Sequence, residues 1–172
     1  EQLLGTMAGN RRLSIGLPAE HNGGEKRFPL TPEGVALLTK EGYRIFVESG
    51  AGEGIKYSDL HYTEAGAQAT TASEVFRCDV VLKITPLNEQ EAAMIRPGVF
   101  LLTLLQPQYQ SASVVRILMQ KKVTAVAIDL ITDERGRYLF ADILDEIDGR
   151  AAIVLASELL SNRSGGKGVL LG

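Results

Sequence analysis

Short apolar runs of β character alternate with stretches of helical period along most of this 172-residue sequence. Residues 12–17 open the series as a strand. Thr31-Pro32-Glu33 then predicts a helix start: Thr31 is a good N-cap, Pro32 suits the first helical position, and Glu33 complements the dipole. Val35, Leu37 and Leu38 supply its apolar face and Gly42 ends it. A second strand follows at 43–48, a glycine-rich loop at 49–57, and a short helix that Ser58-Asp59 opens and that ends near Gly66. Residues 79–84, with Val80, Val81 and Leu82 in succession, predict a strand buried on both faces, a pattern of parallel sheets. Next come a short helix at 88–95 closed by Pro97-Gly98, a strand at 99–105, an amphipathic helix at 111–122, a buried strand at 123–130 and a turn at 133–136. The longest helix spans 142–160, where Ile143, Leu144, Ile147, Ala151, Val154, Leu155 and Leu159 recur near the 3.6-residue period. Residues 162–172 read as a loop. This alternation predicts an α/β domain with a mainly parallel sheet flanked by helices and right-handed crossovers. Ligands of such folds gather at the carboxyl ends of the strands, so the segments after Leu17, Ile84, Leu105 and Leu130 are where a site belongs.

Composition narrows the function classes. Hydrophobic residues are 45 % and charged residues 23 % of the chain, which excludes disordered, collagenous and coiled-coil classes. A net charge of −3 offers no basic field to nucleic acid or to an anionic membrane. The longest apolar run, 151–160, is interrupted by Glu158 and falls short of the roughly 20 residues that span a bilayer. Residues 1–13 contain no apolar core of a secretory signal. One cysteine, Cys78, excludes an intramolecular disulfide and fits a reducing compartment. Two histidines and one cysteine do not make a zinc site. The expectation is a cytoplasmic protein with no membrane insertion, no nucleic-acid partner and no metal. A start on Glu1 and an end inside a glycine-rich stretch suit a fragment.

Several features are candidates for chemistry. Gly50-Ala51-Gly52-Glu53-Gly54 follows a strand, but its third glycine comes one residue early for a dinucleotide loop, so a structural turn is the expectation. Gly165-Gly166-Lys167-Gly168 lacks P-loop spacing and reads as a connection. Arg27 lies in the loop after the first strand, where a guanidinium fork can clamp a carboxylate or simply stand in solvent. Lys83 ends the Val80-Val81-Leu82 run and must reach water, a partner or a ligand. Gln106-Pro107-Gln108 ends the strand at 99–105 and can hold a polar ligand or cap the next helix. The acidic group Asp142, Asp145, Glu146 and Asp148 beside Arg150 reads as a solvated helix start. His21 and His61 have no nucleophile at triad spacing and read as surface residues.

The ordered segments Ile15-Gly16-Leu17-Pro18-Ala19-Glu20, Glu25-Lys26-Arg27, Leu30-Thr31-Pro32-Glu33-Gly34-Val35, Glu48 to Gly54, Ala65-Gly66-Ala67 and Asp79 to Lys83 resemble the amino terminus of the alanine dehydrogenase / pyridine nucleotide transhydrogenase family. Asp145-Glu146-Ile147-Asp148-Gly149-Arg150 is similar to that family's Ser-Glu-x-Ala-Gly-Arg segment. Gly165 to Gly172 resembles the stretch before its nucleotide domain. The resemblance implies a Rossmann-like or flavodoxin-like substrate lobe: an extension at 1–12, the α/β domain at 13–161, and at 162–172 the start of a connection to a carboxyl-terminal NAD-binding domain.

That resemblance makes Arg27 the carboxylate-binding arginine, with Lys83 lining the pocket. Thr85 stands where the family has a lysine that contacts the 2-oxo acid. Gln106 stands where it has a catalytic histidine, and the 21-residue separation of Thr85 and Gln106 fits the family's spacing. An amide does not exchange protons near neutral pH as imidazole does. Three functions follow. One is the lobe of an NAD(H)-dependent oxidoreductase of small 2-amino and 2-oxo acids, inactive without its nucleotide domain. The second is a transhydrogenase alpha-subunit type of lobe. The third is a lobe that has lost its chemistry. The segment 131–137 is shorter than in transhydrogenases and of alanine dehydrogenase style. NAD(H) belongs to the longer protein, with none bound to this fragment. Homo-oligomers are expected, favoured by an apolar surface where the nucleotide domain and a returning helix pack.

Overall fold

The computed structural model describes residues 12–21, 24–105 and 110–170. Its elements are β1 (Ser14–Leu17), α1 (Pro32–Lys40), β2 (Arg44–Glu48), α2 (Asp59–Glu64), β3 (Gln68–Thr70), α3 (Ala72–Val75), β4 (Val80–Leu82), α4 (Glu89–Met94), β5 (Phe100–Thr103), α5 (Ala112–Gln120), β6 (Thr124–Ala127) and α6 (Ala141–Leu160), with short 3-10 turns at Glu53–Ile55, Ile128–Leu130 and Asn162–Ser164. The chain divides into two compact units, one up to Ile128 and one from Asp129.

The first unit is a six-stranded sheet in the order β3-β2-β1-β4-β5-β6, with every pair parallel. This is the doubly wound order, which reverses direction between β1 and β4 and so opens a crevice above their carboxyl ends. Alternation along the strands sends side chains to two cores. On one face Val81 and Leu101 pack with Phe76, Ala92, Ile95, Val114 and Leu118. On the other, Leu17, Ile45 and Val47 pack with Phe28, Val35 and Tyr62. Gly16 is forced by the first face: a Cβ there would lie 2.2 Å from the Val75 carbonyl oxygen, so only glycine lets α3 close on β1.

Polar knots fasten β1 to β4 at both ends. At the amino end, Ser14 donates from N (2.9 Å) and Oγ (2.7 Å) to Asp79 Oδ2, and Arg96 pairs with Asp79 at 2.9 Å. The knot at the carboxyl end belongs to the candidate site.

The predicted Thr31 cap forms, and a second cap on α4 joins it. Thr31 Oγ1 accepts from Gly34 N, and Asn88 and Glu91 make a reciprocal capping box on α4. Three expectations are corrected. The strand foreseen at 123–130 is four residues long and continues as a 3-10 turn. It pairs only with β5, which leaves Thr124 and Ala125 exposed rather than buried. β3 and α3, three and four residues long, fall in a stretch where neither was foreseen. The second unit carries α6, on which Ile143, Ile147, Val154 and Leu159 are exposed, and Arg150 pairs with Glu146. No helix among the described residues is long and apolar enough to cross a membrane, and they contain no group of three or more His, Cys, Asp or Glu that could hold a metal ion.

Candidate functional site at the carboxyl edge of the sheet

Lys83 continues β4 by one residue: its N–H donates to Leu102 O at 3.0 Å. It lies two positions past Val81, so its side chain leaves the sheet on the same face, toward α4. There it is fully buried. Its ammonium donates to Glu20 Oε2 and Thr85 Oγ1, both at 2.7 Å, and lies 3.5 Å from Glu91 Oε1. Glu20, three residues past β1, also accepts from Ile84 N at 2.6 Å, Thr85 N at 3.1 Å and Thr85 Oγ1. Thr103 Oγ1 lies 3.2 Å from Ile84 O and 3.1 Å from Thr85 O, fixing the same turn from β5. One cation thus sits between two carboxylates in a dry environment. Such a group is tolerated only with its hydrogen bonds filled. Glu91 Oε1 makes no hydrogen bond of its own, so its charge is balanced by Lys83 at ion-pair distance.

Lys83 and Thr85, two of the residues singled out from the sequence, are brought together by this knot. Glu20 is the member that sequence reasoning assigned no role. Its only local sign is a carboxylate just beyond a strand end, and its partners lie 63 to 65 positions away. Gln106 lies outside the described residues.

Arg27 is placed from below. Its neighbour Phe28 is buried against Tyr62, with ring centroids 5.7 Å apart at 78°, and Tyr62 Oη donates to Leu30 O at 2.9 Å. The loop also rests on the turn after β2, where a Cβ on Gly54 would meet Lys26 O at 2.6 Å. The Gly50 to Gly54 run is therefore a seat for the Arg27 loop. Its cleft is filled by Lys26 and Tyr62, which does not fit a dinucleotide pyrophosphate. The guanidinium is half exposed and holds Glu25 bidentately, Nε to Oε1 at 2.9 Å and Nη2 to Oε2 at 2.7 Å. These bonds from Arg27 hold the Glu25 carboxyl below the usual glutamate range.

Two further groups flank the loop. Glu48, which ends β2, accepts from Ala19 N at 2.8 Å and lies 3.3 Å from His21 Nε2. His61, in contrast, faces Ser58 and caps α2. Cys78 is buried, and loss of solvation raises its thiol to about 11, so it is inert.

Residues 16–151 match the family described as "Alanine dehydrogenase/PNT, N-terminal domain". The chain belongs to this family. As a member of the alanine dehydrogenase/PNT amino-terminal family, it is 31 % identical over 162 residues to alanine dehydrogenase of Geobacillus stearothermophilus, covering 93 % of this chain and 43 % of the relative. It is 34 % identical over 164 residues to alanine dehydrogenase of Methanococcus maripaludis, covering 92 % and 43 %. Among solved structures, an L-alanine dehydrogenase matches with a TM-score of 0.87 at 28 % identity, over 93 % of this chain and 44 % of that one. The transhydrogenase from Sinorhizobium meliloti matches with a TM-score of 0.65 at 28 % identity, over 71 % and 37 %. The chain spans less than half the length of the curated relatives it matches.

Proposed function

We propose that this domain is the substrate lobe of an oxidoreductase that interconverts small 2-oxo and 2-amino acids with NAD(H). The nucleotide is held by a second domain of the longer protein, in line with the share of the relatives that this chain covers. The observation that carries the reading is the Arg27 fork, which already grips a carboxylate in bidentate geometry at the carboxyl edge of the sheet. A 2-oxo acid carboxylate takes this place by exchange with Glu25. The Glu20–Lys83–Thr85 knot forms the floor of the crevice and fixes the β1 and β4 ends beside it. Lys83 bears on the substrate as a buried positive charge, and the Thr85 hydroxyl is the neighbouring polar group. Gln106, which follows β5 in the sequence, is the further polar residue assigned to the substrate in this reading.

The transhydrogenase-type reading draws on Thr85, which cannot carry charge, and on the likeness to the Sinorhizobium protein. The alanine dehydrogenase likeness extends over more of the chain and at a higher TM-score, which favours the 2-oxo acid reading. Titration calorimetry with pyruvate tests it. Saturable binding that Arg27→Ala abolishes is expected, together with NADH oxidation by the longer protein in pyruvate and ammonium. Pyruvate binding indifferent to Arg27, or none, overturns it.

A further inference from the structure

We propose that His21, held by Glu48, is the proton donor to the substrate's C2 oxygen; this rests on the 2-oxo acid reading above. The sequence contains two histidines. His61 is committed to the start of α2 through Ser58. His21 stands in the β1–α1 loop, one residue from the Glu20 knot and six from Arg27. Its ring is 57 % exposed while its partner Glu48 is 14 % exposed. Glu48 is itself fixed by the Ala19 N–H at 2.8 Å, so the carboxylate is anchored and the imidazole is the open end of the pair. The groups facing His21 are Glu48 from β2 and its chain neighbour Glu20, whose carboxylate is turned into the β4 knot. The contact uses Nε2, and Nδ1 has no partner among the described residues. An imidazole oriented by a carboxylate through one nitrogen, with the other directed at a ligand, is the arrangement general acid catalysis uses.

The step is redox-neutral and balances. Ammonia adds to C2 of the 2-oxo acid. The added nitrogen passes one proton to the C2 oxygen, giving the neutral carbinolamine; the C2 hydroxyl takes a second proton from the His21 imidazolium and leaves as water, and the freed nitrogen lone pair forms the C=N bond of the iminium. His21 is left neutral, to be reprotonated from solvent.

With two histidines, the imidazole C2–H region of the proton NMR spectrum holds two signals, and His21→Gln assigns them. Pyruvate is the probe, with saturation transfer to its methyl group reporting binding. The expected result is a saturable shift of the His21 signal at the concentrations that give Arg27-dependent binding, with the His61 signal unmoved. His21→Gln should keep pyruvate affinity within about threefold and lower turnover of the longer protein by about 100-fold or more. Arg27-dependent binding that leaves the His21 signal unmoved overturns this inference and leaves the substrate reading standing. No pyruvate binding, or binding unaffected by Arg27→Ala, overturns both.

Discussion

Replacing Lys83 with Met tests whether the buried knot holds the two halves of the sheet together. The substitution keeps the chain length and deletes the charge, leaving two buried carboxylates without their cation. Glu20 retains its bonds from Ile84 N, Thr85 N and Thr85 Oγ1, and Glu91 retains Asn88 N. Removing one partner of a buried pair costs about 3–5 kcal/mol. The retained hydrogen bonds place Lys83→Met at the lower end, about 3 kcal/mol. At roughly 2–4 °C per kcal/mol for a chain of this size, the melting temperature should fall by about 6–12 °C. Urea unfolding followed by circular dichroism gives the free energy directly. Adding Glu20→Gln to Lys83→Met should cost less than the sum of the two single changes, because the second removes a charge the first has orphaned; a coupling of at least about 1 kcal/mol is expected. A Lys83→Met protein within about 0.5 kcal/mol of the parent, or strict additivity in the double variant, would mean that the buried ion pair does not hold β1 to β4.

Other perturbations reach separate parts of the molecule. Gly16→Ala forces a methyl against the Val75 carbonyl and should destabilise the domain by about 1–3 kcal/mol or more in the same denaturation assay. Lys121→Met removes an ammonium that donates to Ala92 O, Ala93 O and Ile95 O at the end of α4, and should cost about 1–3 kcal/mol. Cys78, with its thiol raised to about 11, should react with a disulfide reagent at pH 8 at the rate of unfolding, so urea should accelerate labelling steeply. The Glu25–Arg27 clamp contributes its stability above the usual glutamate range near 4.5 and loses it as pH falls through the lowered folded value. Since Arg27 is half exposed the effect is below about 1 kcal/mol, and Glu25→Gln should abolish that acid-side slope while tightening pyruvate binding.

Much of the sheet is legible in the sequence because β4 and β5 are continuous apolar runs and the helix caps are local signals. Thr31-Pro32-Glu33 and Asn88 with Glu91 declare their helices within four residues. β3 is not legible: three residues, Gln68-Ala69-Thr70, at an edge carry no period to read. The end of β6 is not legible, because Ile128 and Leu130 continue the apolar run while the backbone turns. In the site, Lys83 stands out as a charge at a strand end and Arg27 as one in the loop that follows a strand. The knot that gives Lys83 its burial does not, because Glu20 reaches it across the sheet and no local pattern links them. His21 reads as a surface residue and is one; its contact with Glu48 is not legible, because Glu48 is 27 positions away.

In the proposed function, Arg27 receives a substrate carboxylate at the carboxyl edge of the sheet. A crystal structure with oxamate at saturating concentration tests it most directly. The oxamate carboxylate is expected within hydrogen-bond distance of the Arg27 guanidinium, with Glu25 displaced from the fork. Oxamate bound elsewhere while Glu25 keeps both of its contacts to Arg27 would contradict it.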